Sequence, residues 1–166
     1  VEDMERMIAG YLDFVRGEGE EDTVYTPLLP AITRSASTAQ KQGREVHITV
    51  PETLTLSLKP MAFQRVLDNL IGNAARYATA LWISAETAEG FATIRIEDNG
   101  PGIPENMYEE VFKPFMRVDT SRNAETGGVG LGLPIAMDII HAHGGKIWLE
   151  KSADHGGLAV VIRLPL

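Results

Sequence analysis

Three groups of residues have types and spacings suited to chemistry. The first is Asn69, Asn73 and Arg76, at i, i+4 and i+7, which a helix sets along one face. Asparagine is a mediocre helix former, so two in one helix lower its intrinsic stability. One reading is a solvated polar face. The other is two amide oxygens and a cation converging on a charged ligand. An amide oxygen suits Mg2+, a hard ion that keeps most of its waters and takes few protein ligands. The second group is Asp98-Asn99-Gly100-Pro101-Gly102-Ile103. Ala92, Ile94 and Ile96 alternate with Thr93, Arg95 and Glu97, and period two puts Asp98 on the isoleucine face, pointing inward. A carboxylate there needs a hydrogen-bond donor, and an exocyclic amine such as that of adenine would serve. Asn-Gly is also a common turn dipeptide, so a plain turn is the competing reading. The third is Gly127-Gly128-Val129-Gly130-Leu131-Gly132-Leu133, entering a helix. Glycines allow close backbone approach, and a helix N-terminus offers free N–H groups to phosphate. A flexible hinge is the alternative.

Two better-known glycine motifs fail. Leu133-Pro134 stands where a P-loop needs Lys-Ser/Thr. A dinucleotide fingerprint follows a strand directly, whereas a long loop precedes this run. Between the second and third groups lie Phe112-Lys113-Pro114-Phe115, whose rings suit pinning a lid to the body. Arg117 and Arg122 are cations beside a phosphate-type site, or surface ion-pair partners. The four histidines, His47, His141, His143 and His155, show no metal-binding spacing and read as strand, helix-end and turn residues.

Elements must hold these groups in place. Phe63, Val66, Leu67, Leu70, Ile71, Ala74 and Ala78 form an apolar helical face, predicting a helix from Lys59-Pro60 to about Tyr77. Thr26-Pro27 reads as a helix start, with that helix running to about Gln42 and stopped by Gly43. Strands are expected at 46–50, 54–58, 81–85, 91–97, 146–150 and 159–164. The last two join through Gly156-Gly157. A helix covers 135–143, and Pro134 confines its start to near Gly130. Val1, Met4, Ile8, Tyr11 and Val15 mark a further helix over 1–16 that needs a partner, followed by an acidic linker. Residues 98–129 form a long loop of the binding or lid type. The order predicts an α/β (α+β) two-layer sandwich, a mixed sheet with helices on one face. Residues 1–22 are set apart from a domain spanning 23–166.

Composition narrows the function. The chain has 166 residues and no cysteine, which excludes disulfides, thiolate metal sites and cysteine nucleophiles. Its net charge of −8 argues against nonspecific binding to nucleic acid or an anionic membrane. It does not exclude a nucleotide, whose phosphates backbone N–H groups and a metal ion can hold. No apolar run approaches the ~18 residues of a membrane span, and the start does not read as a signal peptide. A cytosol-compatible chain is expected, cut from a larger protein since it opens mid-pattern without Met.

Taken in order, the blocks resemble the catalytic ATP-binding domain of bacterial sensor histidine kinases, within the wider superfamily of gyrase, Hsp90 and MutL. The stretch from Asn69 to Tyr77 looks like that family's N box. Asp98-Asn99-Gly100-Pro101-Gly102-Ile103 resembles its first glycine box, Phe112-Lys113-Pro114-Phe115 its F box, and the run from Gly127 its second glycine box. Residues 1–16 resemble the second helix of the dimerisation and histidine-phosphotransfer hairpin.

The resemblance implies the Bergerat-type ATP-binding fold, with ATP and Mg2+ as ligands. Asn73 would ligate Mg2+ with Asn69 in support. Arg76 would approach the phosphates, and Tyr77 would pack near the adenine. Asp98 would bind the adenine amine, and Gly100, Gly102 and Ile103 would shape its pocket. Arg117 and Arg122 would steady the triphosphate, while Gly128, Gly130, Leu131 and Gly132 would line it. The implied partners are a hairpin bearing the phosphoacceptor histidine and a downstream response regulator, with a dimer possible through 1–16 and a membrane-anchored parent. Two departures stand out. Val129 replaces a hydroxyl residue common in relatives, and no histidine here stands in the family's phosphoacceptor context. ATP-hydrolysing relatives place a glutamate four residues before the metal-binding asparagine. Here that residue is Asn69, and Asp68 is rotated about 100° away, which favours transfer to histidine over hydrolysis. A degenerate nucleotide-binding scaffold is the non-catalytic alternative.

Overall fold

Alternating burial builds a five-stranded sheet in the computed structural model, which describes residues 21–114 and 132–166. Its strands are β2 (Glu45–Thr49), β4 (Ala80–Ala88), β5 (Phe91–Asp98), β6 (Lys146–Lys151) and β7 (Leu158–Pro165), in spatial order β2-β4-β5-β7-β6. β2 and β4 are parallel, and every other neighbour pair is antiparallel. The sheet is therefore mixed, as expected. Ile83, Ile94, Ile96, Ile162 and Leu149 point from it into one core. Three helices fill that core from the same side: α1 (Leu28–Lys41), α2 (Pro60–Tyr77) and α3 (Gly132–Ala142). α2 packs against both of the others, which makes it the central member of the helical layer.

The start of α1 differs from the sequence reading. Val24–Pro27 forms a strand, β1, that pairs antiparallel with β3 (Thr55–Leu58) in a small second sheet. Thr26 makes no cap; its hydroxyl donates to the Val24 carbonyl at 2.9 Å. Pro27 has no N–H to offer and sits extended at φ −64°, so a strand end suits it. The first free N–H of the helix, that of Leu28, donates to the Leu54 carbonyl at 3.0 Å. A long-range bond does the job expected of a side chain. The two strands expected around Pro51 exist, but they belong to different sheets. The helix expected over residues 1–16 lies outside the described residues.

The helix that carries the first chemical group is secured at both ends. Pro60 opens α2, and the Glu21 carboxylate, reaching across from the linker, accepts the N–H groups of Met61 and Ala62. This satisfies two of the free donors of the first turn and opposes the helix dipole. At the far end Arg44 Nε donates to the Ala75 carbonyl at 2.6 Å. Phe63, Val66, Leu67, Leu70, Ile71 and Ala74 are all buried, as their spacing predicts.

His143 ties α3 to α2. Its Nε2 accepts the Lys59 N–H at 3.0 Å, while Nδ1 lies 2.7 Å from the Ile139 carbonyl and so carries the proton. On the sheet's outer face Trp82 stacks between His47 and His155. These histidines are structural, as their contexts suggested.

Leu70 is buried beside Asn69, so truncating it tests how firmly the core holds α2. Leu70→Ala should lower unfolding free energy by about 2–5 kcal/mol, read as a lower urea midpoint at unchanged slope.

Candidate active site

Asp98 ends β5 on the inward side, in register with Ala92, Ile94 and Ile96, as the alternation predicts. It is one of few buried polar residues, 7% exposed. Two backbone N–H groups hold its Oδ1, from Gly100 at 2.9 Å and from Leu158 at 3.2 Å. Burial pushes the carboxyl above the usual aspartate pKa, and those two bonds pull part of the way back. Oδ2 accepts from no described residue. Among the described residues Oδ2 is thus an open acceptor whose twin oxygen is already committed. A carboxylate oxygen presented this way suits one N–H donor from a ligand.

The cradle around Asp98 tolerates no extra atoms. A Cβ on Gly157 would lie 2.2 Å from Asp98 Oδ1, 2.4 Å from the Asp98 carbonyl oxygen and 2.7 Å from the Gly100 nitrogen. Gly157 N–H donates to that same carbonyl at 3.1 Å. A Cβ on Gly102, at φ +75°, would lie 3.8 Å from the Gly157 backbone. Gly157 was visible in the sequence only as half of a turn. Its contact with Asp98 spans the sheet between residues 59 positions apart, and no local pattern encodes that.

The first group faces the opposite end. Asn69 Nδ2 donates to the Gly132 carbonyl at 3.3 Å, and a Cβ on Gly132 would lie 3.6 Å from Asn73 Nδ2. The beginning of α3, where the third glycine group enters the helix, therefore lies against both asparagines. Asn73 Oδ1 accepts from Arg76 Nη1 at 3.2 Å. This bond is exposed and weakly held, so the guanidinium can leave it for a stronger anion. Asp68 turns the other way, its Oδ1 accepting the Ser35 hydroxyl of α1 at 2.6 Å. Gln64 donates to the same hydroxyl at 2.7 Å.

Tyr77 joins the two ends. It is the last residue of α2 and 44% exposed, and a Cβ on Gly100 would lie 2.8 Å from its carbonyl oxygen. Ile103 packs on the core's edge with Phe112, and Val111 is buried, so the described part of the Phe112-to-Phe115 segment is pinned as expected. Of the expected site residues, Asn69, Asn73, Arg76, Tyr77, Asp98, Gly100, Gly102 and Gly132 fall on one connected set of contacts, and Ile103 packs against the core nearby in the chain. Arg117, Arg122, Gly128, Gly130 and Leu131 lie outside the described residues, as do Phe115 and Val129.

A family model described as the histidine kinase-, DNA gyrase B- and HSP90-like ATPase matches residues 58–166. The chain belongs to this family. It is 31% identical to the sensor protein kinase WalK of Staphylococcus epidermidis over 99% of its own length, covering 28% of that protein. It is 35% identical to the sensor histidine kinase CpxA of Escherichia coli K12 over 81% of its length, covering 30% of that protein. The mycobacterial sensor histidine kinase MprB gives a TM-score of 0.75 at 26% identity, covering 87% of this chain and 97% of that structure. The chain thus spans under a third of the length of these two curated relatives, and the matched family model describes an ATPase-like domain. No helix among the described residues is long and apolar enough to cross a membrane.

Three outcomes follow from the Asp98 cradle. Asp98→Asn keeps an oxygen for the two N–H groups but sets an NH2 against a ligand amine. Adenine-nucleotide affinity, measured by calorimetry, should fall roughly tenfold to a hundredfold, while thermal stability stays level or rises because a desolvated charge is gone. Since the folded pKa is raised, Asp98 contributes less stability as pH rises through that pKa, whereas adenine affinity falls as pH drops through it. Gly157→Ala forces the turn away from Asp98. It should cost about 1–3 kcal/mol of stability and lower adenine affinity as well.

Proposed function

We propose that this chain is the ATP-binding catalytic domain of a two-component sensor histidine kinase. It binds Mg-ATP with adenine at Asp98 and phosphates along α2 and the start of α3, and it transfers the γ-phosphoryl group to a histidine on a separate hairpin segment. A response regulator then takes the group onward. The single observation that carries transfer over hydrolysis is the absence of a free carboxylate beside Asn73 among the described residues of α2. Asn69 occupies the position one turn earlier, with its amide on Gly132, and Asp68 is turned to Ser35. A water molecule has no base there, whereas a neutral imidazole nitrogen is already a nucleophile.

The residues divide the work. Asp98 Oδ2 accepts the adenine amine and fixes the base. Tyr77, exposed at the end of α2, packs near it. Asn73 offers its amide oxygen once Arg76 turns to phosphate. The donor set fits Mg2+, since one amide oxygen and phosphate oxygens leave room for the waters this ion keeps. When bound, Mg2+ neutralises phosphate charge and orients the β and γ groups. Arg117, Arg122, Gly128, Gly130, Leu131 and Gly132 complete the phosphate side in this reading. The domain works on the cytoplasmic side of a membrane-anchored parent, and residues 1–16 belong to the hairpin and a dimer contact.

Radiolabelled ATP, this chain and a separate hairpin bearing the phosphoacceptor histidine test the proposal. Acid-labile label should pass to the hairpin and be lost with Asn73→Ala. Free phosphate released at the same rate with or without the hairpin would assign the domain to hydrolysis instead. ATP binding without metal dependence and without transfer would leave only a scaffold.

A further inference from the structure

Asn99 follows the adenine-facing Asp98 and has the sequence context of an ordinary Asn-Gly turn, yet its side chain bonds away from its own turn. Its Oδ1 accepts two backbone N–H groups, from Thr79 and Ala80, each at 3.0 Å. Its Nδ2 donates to the Thr79 hydroxyl at 2.9 Å. Its own N–H donates to the Ala80 carbonyl at 3.3 Å. All four bonds run to the two residues that lead out of α2 into β4. Gly100 presses on the same place through the Tyr77 carbonyl. One turn before Tyr77 stands Asn73, and two turns before it Asn69. The residue that bears the adenine contact is thus joined, through Asn99, to the helix that bears the phosphate-side amides. β4 and β5 pair as far as Leu81 and Asp98, and beyond that register one long backbone bond from the Asn99 N–H and the three bonds of its side chain supply the connection. Gly157 braces Asp98 through the Asp98 carbonyl and carboxylate.

We infer that Asn99 is a positioning residue that sets the span between the adenine end and the phosphate end of the site. The inference rests on the nucleotide reading above and deepens it. A ligand that touches both ends gains its second contact only when their separation matches its own length. A joint held by one side chain with three directed bonds keeps that separation narrow. When it is loosened, ligands that span the site lose affinity, and ligands that touch one end do not.

The test compares two ligands on the full 166-residue chain. Adenosine reaches only the Asp98 end, and a nonhydrolysable ATP analogue with Mg2+ spans both. Dissociation constants come from NMR titration. Asn99→Ala should weaken the ATP analogue roughly tenfold to a hundredfold and leave adenosine within about twofold. Asn99→Asp should restore spanning affinity, because its carboxylate accepts the same two N–H groups and the Thr79 hydroxyl can reverse its bond. Asn99→Ser reaches at most one N–H, so it should fall between the two and serves if Asn99→Ala does not fold. Parallel losses for both ligands, no loss for either, or failure of Asn99→Asp to restore the ATP analogue would overturn the inference. Wild-type protein that binds neither ligand would overturn the nucleotide reading instead.

Discussion

Asp98 is a carboxylate forced into the apolar face of a sheet, and the rest of the site is arranged around making that tolerable. Burial pushes its pKa upward, toward the neutral form. Two backbone N–H groups on one oxygen oppose that push. One comes from the loop after β5 and the other from the first residue of β7, so the bond pair depends on β5 and β7 being neighbours. The order of strands in the sheet is thereby a condition on the chemistry. It also explains why the turn before β7 ends in glycine: the Asp98 carbonyl and carboxylate fill the space a side chain would take.

In the proposed reading the two ends of the site have different physical characters. The adenine end is buried, with backbone donors fixed around one acceptor. The phosphate end is half-exposed and polar, and its hydrogen bonds, at 3.2 and 3.3 Å, are donated by side chains. A rigid end suits recognition of a flat base, because its complementarity is fixed before binding. A softer end suits a triphosphate, whose charge rearranges the cations around it. In the proposed reading Arg76 on Asn73 is a placeholder of this kind, since a guanidinium on an amide oxygen would have a better partner in a phosphate. The chain's net charge of −8 makes such local cations necessary, because the overall field repels the ligand.

Periodicity made legible whatever depends on near neighbours. The inward direction of Asp98 followed from Ile94 and Ile96. The buried face of α2 followed from Phe63 through Ala74. The end of α1 and its stop at Gly43, φ +86°, followed from turn chemistry. Residues whose roles depend on distant segments were read as local features. Thr26 read as a cap, but the Leu54 carbonyl meets the Leu28 N–H. Strands β2 and β3, adjacent in sequence, part into different sheets because β2 finds the parallel partner β4 after the whole of α2 has intervened. Gly157 and Asn99 looked like turn residues, and both act on segments that the chain reaches only after folding.

The same distinction bears on what the site can catalyse. Along a helix, a residue's neighbour in sequence points about 100° away, so having an acid at 68 is not equivalent to having one at 69. The fold makes the difference larger. Asp68 is drawn to Ser35 on α1, in a bond shared with Gln64, and this polar contact holds two helices together. Moving the carboxylate to serve water beside Asn73 would break that contact and turn the charge across the helix surface. Asn69, which does face that way, donates its amide to Gly132 and has no proton-accepting power near neutral pH. A phosphoryl group placed here would meet no activated water from α2. It would keep until an acceptor that needs no base arrived, and an imidazole nitrogen is such an acceptor. In the proposed reading, the lack of a base at this one position of α2 favours a docked histidine over water as the acceptor of the γ-phosphate.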